Sequence, residues 1–119
     1  MMDKKTVEEY LLSMPNARLD YPFGEDVAVY KVGDPSSHEA SKGQGKMFAL
    51  MDEKKTPVNL SLKCDPVLAE TLREKYETVL PGYHLSKKHW NTLILTGQLP
   101  WEDVQALIRL SYDLVTKDK

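Results

Sequence analysis

The sequence predicts a single α+β domain: a curved antiparallel sheet with helices packed on one face. Three observations carry that prediction. Strand-like segments VAVYKV (27–32), MFALM (47–51) and PVNLSLKC (57–64) follow one another with no helix between them, the order expected of antiparallel pairing. In the last of these, Val58, Leu60, Leu62 and Cys64 alternate with Asn59, Ser61 and Lys63, so one face is expected to be buried and the other wet. Helical periodicity is confined to three other stretches, near 6–14, 65–76 and 100–115.

Thr6 followed by Glu9 has the form of a capping box, and Val7, Tyr10, Leu11 and Met14 recur at helical spacing. Pro15 ends that helix soon after Ser13. NARLDYPFGED is turn-rich and leads into the 27–32 strand. GDPSSHEASKGQGK (33–46) lacks apolar periodicity and reads as a flexible inserted loop centred on 34–45. Asp65 caps the second helix, with Pro66 at its first position, where a missing N–H costs nothing. Leu68, Leu72 and Tyr76 mark its buried stripe. TLILTG follows a Pro81–Gly82 turn and reads as a short buried strand. Pro100 starts a final helix, with Trp101, Val104, Leu107, Ile108 and Leu114 or Val115 on its apolar side.

With 119 residues, the chain has room for one domain and buries enough surface to fold without disulfide or metal. A single cysteine, Cys64, fits a reducing, cytoplasmic compartment, and no apolar run reaches the length of a membrane span. The net charge of −2 means that any anion binding must be local.

One stretch reverses the overall charge. From Val79 to Pro100 there is no acidic residue, and His84, Lys87, Lys88 and His89 gather around Trp90. Ser86 is placed to cap a helical turn whose N–H groups, with two ammonium groups, suit a phosphate or a carboxylate. Trp90 would either stack on a base or pack beneath the turn, and one aromatic does not decide between them. The plainer account makes Trp90 core, the lysines solvated and the histidines bonded to backbone.

Other chemistry is weaker. Cys64 with His84 or His89 would make a nucleophile and base, but Cys64 falls on the apolar side of its strand, where a thiol is inert. His38, His84 and His89 lack metal-ligand spacing and an orienting carboxylate, so no metal and no cofactor is expected. GQGK (43–46) lacks the spacing of a phosphate-binding loop and the Ser or Thr after its lysine. Asp20, Glu25 and Asp26 read as solvated turn carboxylates. No set of acid, base and nucleophile is visible, and the reading leans away from an enzyme.

FGEDVAVYKV (23–32), KMFALM (46–51), VNLSLKC (58–64), PGYHLSKKHWNT (81–92) and SYDLV (111–115) resemble the MmcQ/YjbR family of small bacterial proteins over nearly the whole chain. The resemblance implies a frataxin-like (CyaY-like) α+β fold, a double-wing arrangement and a proposed role in DNA binding. Carried over by residue, the family signature falls on His84, Lys87, Lys88, His89, Trp90 and Asn91. The chain departs from the family pattern where DPSSHEASKGQG (34–45) replaces a tight glycine turn, and that segment's mixed charge does not favour nucleic acid.

The function expected is therefore DNA binding of unknown specificity through the 84–91 segment, by His84, Ser86, Lys87, Lys88, His89, Trp90 and Asn91. The alternative is a small interaction protein that holds a protein partner or an acidic small molecule. A continuous positive face extended by Lys54, Lys55 or Lys63 would favour the first. Lysines ringed by carboxylates would favour the second.

Overall fold

A computed structural model describes residues 3–32, 46–82 and 85–116. Asp3, not Thr6, opens the first helix, α1 (Lys4–Leu12): its carboxylate accepts the Thr6 N–H at 2.9 Å, and its carbonyl accepts the first helical bond from Val7. Thr6 thus lies in the first turn, with its own N–H capped by the aspartate three residues upstream. The 34–45 loop lies outside the described residues.

The element order differs from the sequence expectation by two strands. After α1 come β1 (Ala17–Asp20), β2 (Val27–Val32), β3 (Lys46–Asp52) and β4 (Asn59–Lys63), then α2 (Pro66–Lys75), β5 (Val79–Pro81), β6 (Trp90–Ile94) and α3 (Trp101–Thr116). These strands form one antiparallel sheet in the order β1-β2-β3-β4-β6-β5. The two missed strands, β1 and β5, are short and sit at the two edges. Their backbones are held by a single neighbour, so neither needs strong alternation to form.

Cross-strand partners share a face, which divides the sheet cleanly. One face carries Ala28, Tyr30, Phe48, Met51, Leu60 and Leu93, all buried in the main core against the helices. Val7 and Leu11 of α1 reach this core, and α3 adds Val104, Ile108 and Val115. Leu114 is 41% exposed, so Val115 rather than Leu114 completes the apolar stripe of α3. Ala69 is the buried residue of α2, with Leu72 and Tyr76 packed against the core.

The pairing of β2 with β3 shifts between Tyr30 and Lys31, leaving Phe48 as an extra residue in β3. This bulge turns both Phe48 and Ala49 toward the helices. Ser111 of α3, fully buried, donates its hydroxyl to the Phe48 carbonyl at 2.5 Å and accepts the Lys63 N–H at 2.9 Å. A helix side chain thereby closes the gap left where the β3–β4 register ends at Ala49 and Leu62.

The opposite face was expected to be wet, and it is not. Val29, Leu50 and Trp90 form a second buried cluster there, with Val27, Met47 and Leu85 packed around it. Ser61 and Thr92, directly paired in register, are buried on this face and joined hydroxyl to hydroxyl at 2.8 Å. Alternation in β4 is real, but its polar positions sit between apolar rows from β3 and β5. One strand's pattern cannot reveal what its neighbours place alongside it.

Candidate functional site

The basic segment forms a tight turn at 86–89, closed by the His89 N–H on the Ser86 carbonyl at 3.2 Å. Ser86, Lys87, Lys88 and His89 are exposed. Trp90 and Asn91 are buried at the start of β6. His84 lies outside the described residues, as does His38.

Three fastenings hold the turn. Arg73 of α2 reaches beneath it, donating from Nη2 to the Lys87 carbonyl and to the Trp90 carbonyl at 3.3 Å. Its Nε donates to the Asn91 amide oxygen at 2.7 Å, and Asn91 donates in turn to the Ala69 carbonyl at 3.3 Å. On the other side, the Cys64 N–H bonds to the His89 carbonyl at 2.7 Å, carrying the β4–β6 ladder into the turn. Gly82 closes over the far end: its N–H bonds to the Trp90 carbonyl at 2.9 Å, and a Cβ there would lie 2.6 Å from the Trp90 Cβ. The turn is thus a rigid platform that presents two ammonium groups.

Trp90 does not stand free. It is 8% exposed and packs with Val29 and Leu50, so it anchors the turn to the open face. Asn91 is part of the Arg73 fastening. Of the cations that might extend the platform, Lys63 sits opposite Trp90 in register, on the same face and half-buried. Lys54 is paired with Asp26 at 3.2 Å, and Lys31 with Asp20 at 3.0 Å. Lys63 therefore lies beside the turn, while Lys54 is offset by a carboxylate.

Cys64 and His89 are backbone neighbours, yet they form no catalytic pair. The thiol is buried between α2 and α3, and burial, reinforced by the adjacent Asp65, pushes its ionisation up. Among the described residues, no three His, Cys, Asp or Glu side chains cluster as a metal site. No helix among them is long and apolar enough to cross a membrane.

A feature the sequence did not reveal lies beside the turn. The open face holds a groove of about 540 Å³. Phe23, Leu80 and Leu85 form its walls, with Leu50 and Ile94 beneath, and Ser61, Thr92 and Asn59 supply a polar floor. Phe23 is 63% exposed and Leu80 45%. Asp52 and Lys55 stand at the Asn59 end, with opposite charges. The groove needs β5 for one wall and the 21–24 turn for the other. Both were read as irregular chain, and Arg73, fourteen residues from Lys87, carries no local signal at all.

The arrangement of strands and helices matches a known group of proteins. A family model for YjbR matches residues 12–114. The chain belongs to the YjbR family. Among YjbR relatives, the Escherichia coli O157:H7 protein YbdF is 30% identical over 118 residues, spanning 96% of this chain and 88% of YbdF. The YjbR protein of Escherichia coli K12 is 39% identical over 71 residues, 60% of each chain. A crystal structure of Deinococcus radiodurans protein DR2400, described by its DUF419 domain, superposes with a TM-score of 0.88 at 37% identity. It covers 99% of this chain and 81% of that one. A Pseudomonas syringae crystal structure superposes at 0.76 and 27% identity, covering 96% and 99%. The YjbR fold of this chain, α+β with one six-stranded antiparallel sheet, is the fold that the resemblance implied.

Proposed function

We propose that this protein binds DNA by holding backbone phosphates on the 86–89 turn. The observation that carries the reading is the Arg73 fastening. A guanidinium that bonds two carbonyls and an amide fixes the turn's shape, and among the described residues it is matched to no carboxylate. Lys87 and Lys88 are then displayed on a scaffold that loses little freedom on binding, and Lys63, opposite Trp90 in register, adds a third cation beside the turn. His89 and the Ser86 hydroxyl are exposed beside them as further hydrogen-bonding groups. Trp90 supports the platform from below, and Asn91 holds the guanidinium, so neither stacks on a base.

Few cations mean low affinity and a shallow salt dependence. The logarithm of the binding constant should fall with that of salt at a slope of roughly −2 to −4. Replacing Lys87 and Lys88 by alanine should flatten the slope by about 2 and weaken all sequences alike, because phosphate contacts carry no base information. The test is a titration of duplex and single-stranded DNA at low salt, wild type against the double variant. Absence of micromolar binding by wild type, or equal binding by the variant, rejects the reading.

In that event the alternative is an interaction protein that holds a protein partner or an acidic small molecule. The net charge of −2 and the exposed side chains of Phe23 and Leu80 favour it.

A further inference from the structure

We propose that the groove on the open face is a pocket for one unpaired nucleobase of the strand whose phosphates lie on the 86–89 turn. The inference rests on the phosphate reading and adds to it the part of the ligand that enters the protein.

The first argument is continuity. Leu85 lines the groove and immediately precedes the turn, while β6 leaves the turn at Trp90 and forms the groove floor at Thr92. Lys63 and Ser61 share a face two residues apart on β4, roughly 7 Å along the strand. The Lys63 cation beside the turn and the hydroxyls within the groove are therefore spaced for one nucleotide.

The second argument is chemistry. A base is flat, uncharged and edged with donors and acceptors. Of the groove's apolar walls Phe23 and Leu80 are exposed and Leu85 is half-buried, a lining of the kind that small-ligand pockets use. Its floor is polar but carries no net charge: the paired Ser61 and Thr92 hydroxyls, and the Asn59 amide, which bonds to no described side chain. Asn59 can donate and accept at once, as an adenine edge requires. Opposite charges on Asp52 and Lys55 at the far end give no preference for an anion there.

Size suits a small occupant: the groove's 540 Å³ does not enclose three turns of helix, which fill on the order of 1,300 Å³. A base with its sugar fits within the range of small-ligand pockets.

The test compares a short single strand, the same strand with its central bases removed, and the matching duplex. Wild type should bind the intact strand about tenfold more tightly than either of the others, a typical gain for one stacked base. Phe23→Ala combined with Leu80→Ala, both at exposed positions, should abolish that preference and leave the salt slope unchanged. Asn59→Leu serves as a second, independent variant with the same expected loss. Lys87→Ala with Lys88→Ala should instead weaken all three ligands together.

If wild type binds all three equally and the groove variants change nothing, the base pocket is wrong while the phosphate reading stands. A second arm separates the two ideas from the other side. Millimolar adenosine and thymidine should shift the amide resonances of Asn59, Ser61 and Thr92, in wild type and in the double lysine variant alike. Shifts there with no strand binding would leave a nucleoside pocket and remove the phosphate reading. No shifts in wild type would overturn the pocket.

Discussion

Arg73 and Asn91 are eighteen residues apart, yet the guanidinium Nε donates to the buried amide oxygen at 2.7 Å and so ties the second helix to the first residues of β6. Asn91 is 2% exposed, and its other amide group is spent on the Ala69 carbonyl. The Lys87 and Trp90 carbonyls share the same guanidinium. Three acceptors thus depend on one side chain.

Arg73→Ala should therefore destabilise the protein by about 1–3 kcal/mol, the cost of a buried polar group left unmatched. Arg73→Lys should recover little, because an ammonium cannot bond three acceptors in a planar fork. Urea unfolding gives the stability. Amide exchange at 86–90 should accelerate more than in the rest of the sheet. Uniform protection would show that the turn is held by other means.

Gly82→Ala should be costly for a reason of space alone. The new methyl would sit 2.6 Å from the Trp90 Cβ and 3.1 Å from its carbonyl oxygen, both fixed by the strand. Overpacking of this kind costs about 1–3 kcal/mol. Gly24→Ala tests the contrast: that position has open space around it but a φ of 111°, so any cost there is backbone strain. Near-edge fluorescence of Trp90 should change in the first variant and not in the second.

Cys64 should label slowly in the native protein and at once in denaturant. Burial raises its ionisation, so the folded state favours the neutral thiol. The sign follows: this contribution is complete below the unfolded thiol value of about 8.5 and is lost as pH rises beyond it. Cys64→Ala should cost about 1 kcal/mol and leave the proposed phosphate contacts of the 86–89 turn unchanged. Rapid labelling near neutral pH would revive the Cys64–His89 pair as chemistry.

Acid should weaken the fold through two carboxylates. The Thr6 N–H holds Asp3 below the usual range, and the Lys31 ammonium, with the Tyr21 N–H, does the same for Asp20. Depressed carboxyls stabilise above their unfolded value of about 3.9, and that stability disappears as pH falls through the folded values. The urea midpoint should drop below about pH 4. Asp3→Asn with Asp20→Asn should flatten that limb, and an unchanged slope would assign it to other groups.

The helices, the three long strands and the turn's place in the chain were legible because their signals are local. Pro66 after Asp65 marks a helix start, and Val58 to Cys64 mark a strand, whatever surrounds them. The capping aspartate was displaced by three residues because Thr6 and Glu9 imitate a cap that Asp3 supplies. The groove was not legible. It arises from Phe23, Ser61 and Leu80, which belong to separate segments and meet only after five strands have paired. Trp90 was open to two accounts, and burial against Val29 and Leu50 settles its packing.

Ser111 has a consequence for how the domain comes apart. A sheet normally carries its hydrogen bonds within itself, so an overlying helix can detach and leave the ladder whole. Here the carbonyl of the bulged Phe48 and the N–H of Lys63 are both satisfied by a hydroxyl that belongs to α3. Lifting that helix strands a donor and an acceptor where the pairing of two central strands ends. Layer and sheet are therefore one cooperative unit, and partial unfolding that sheds only the C-terminal helix has no stable intermediate to stop at.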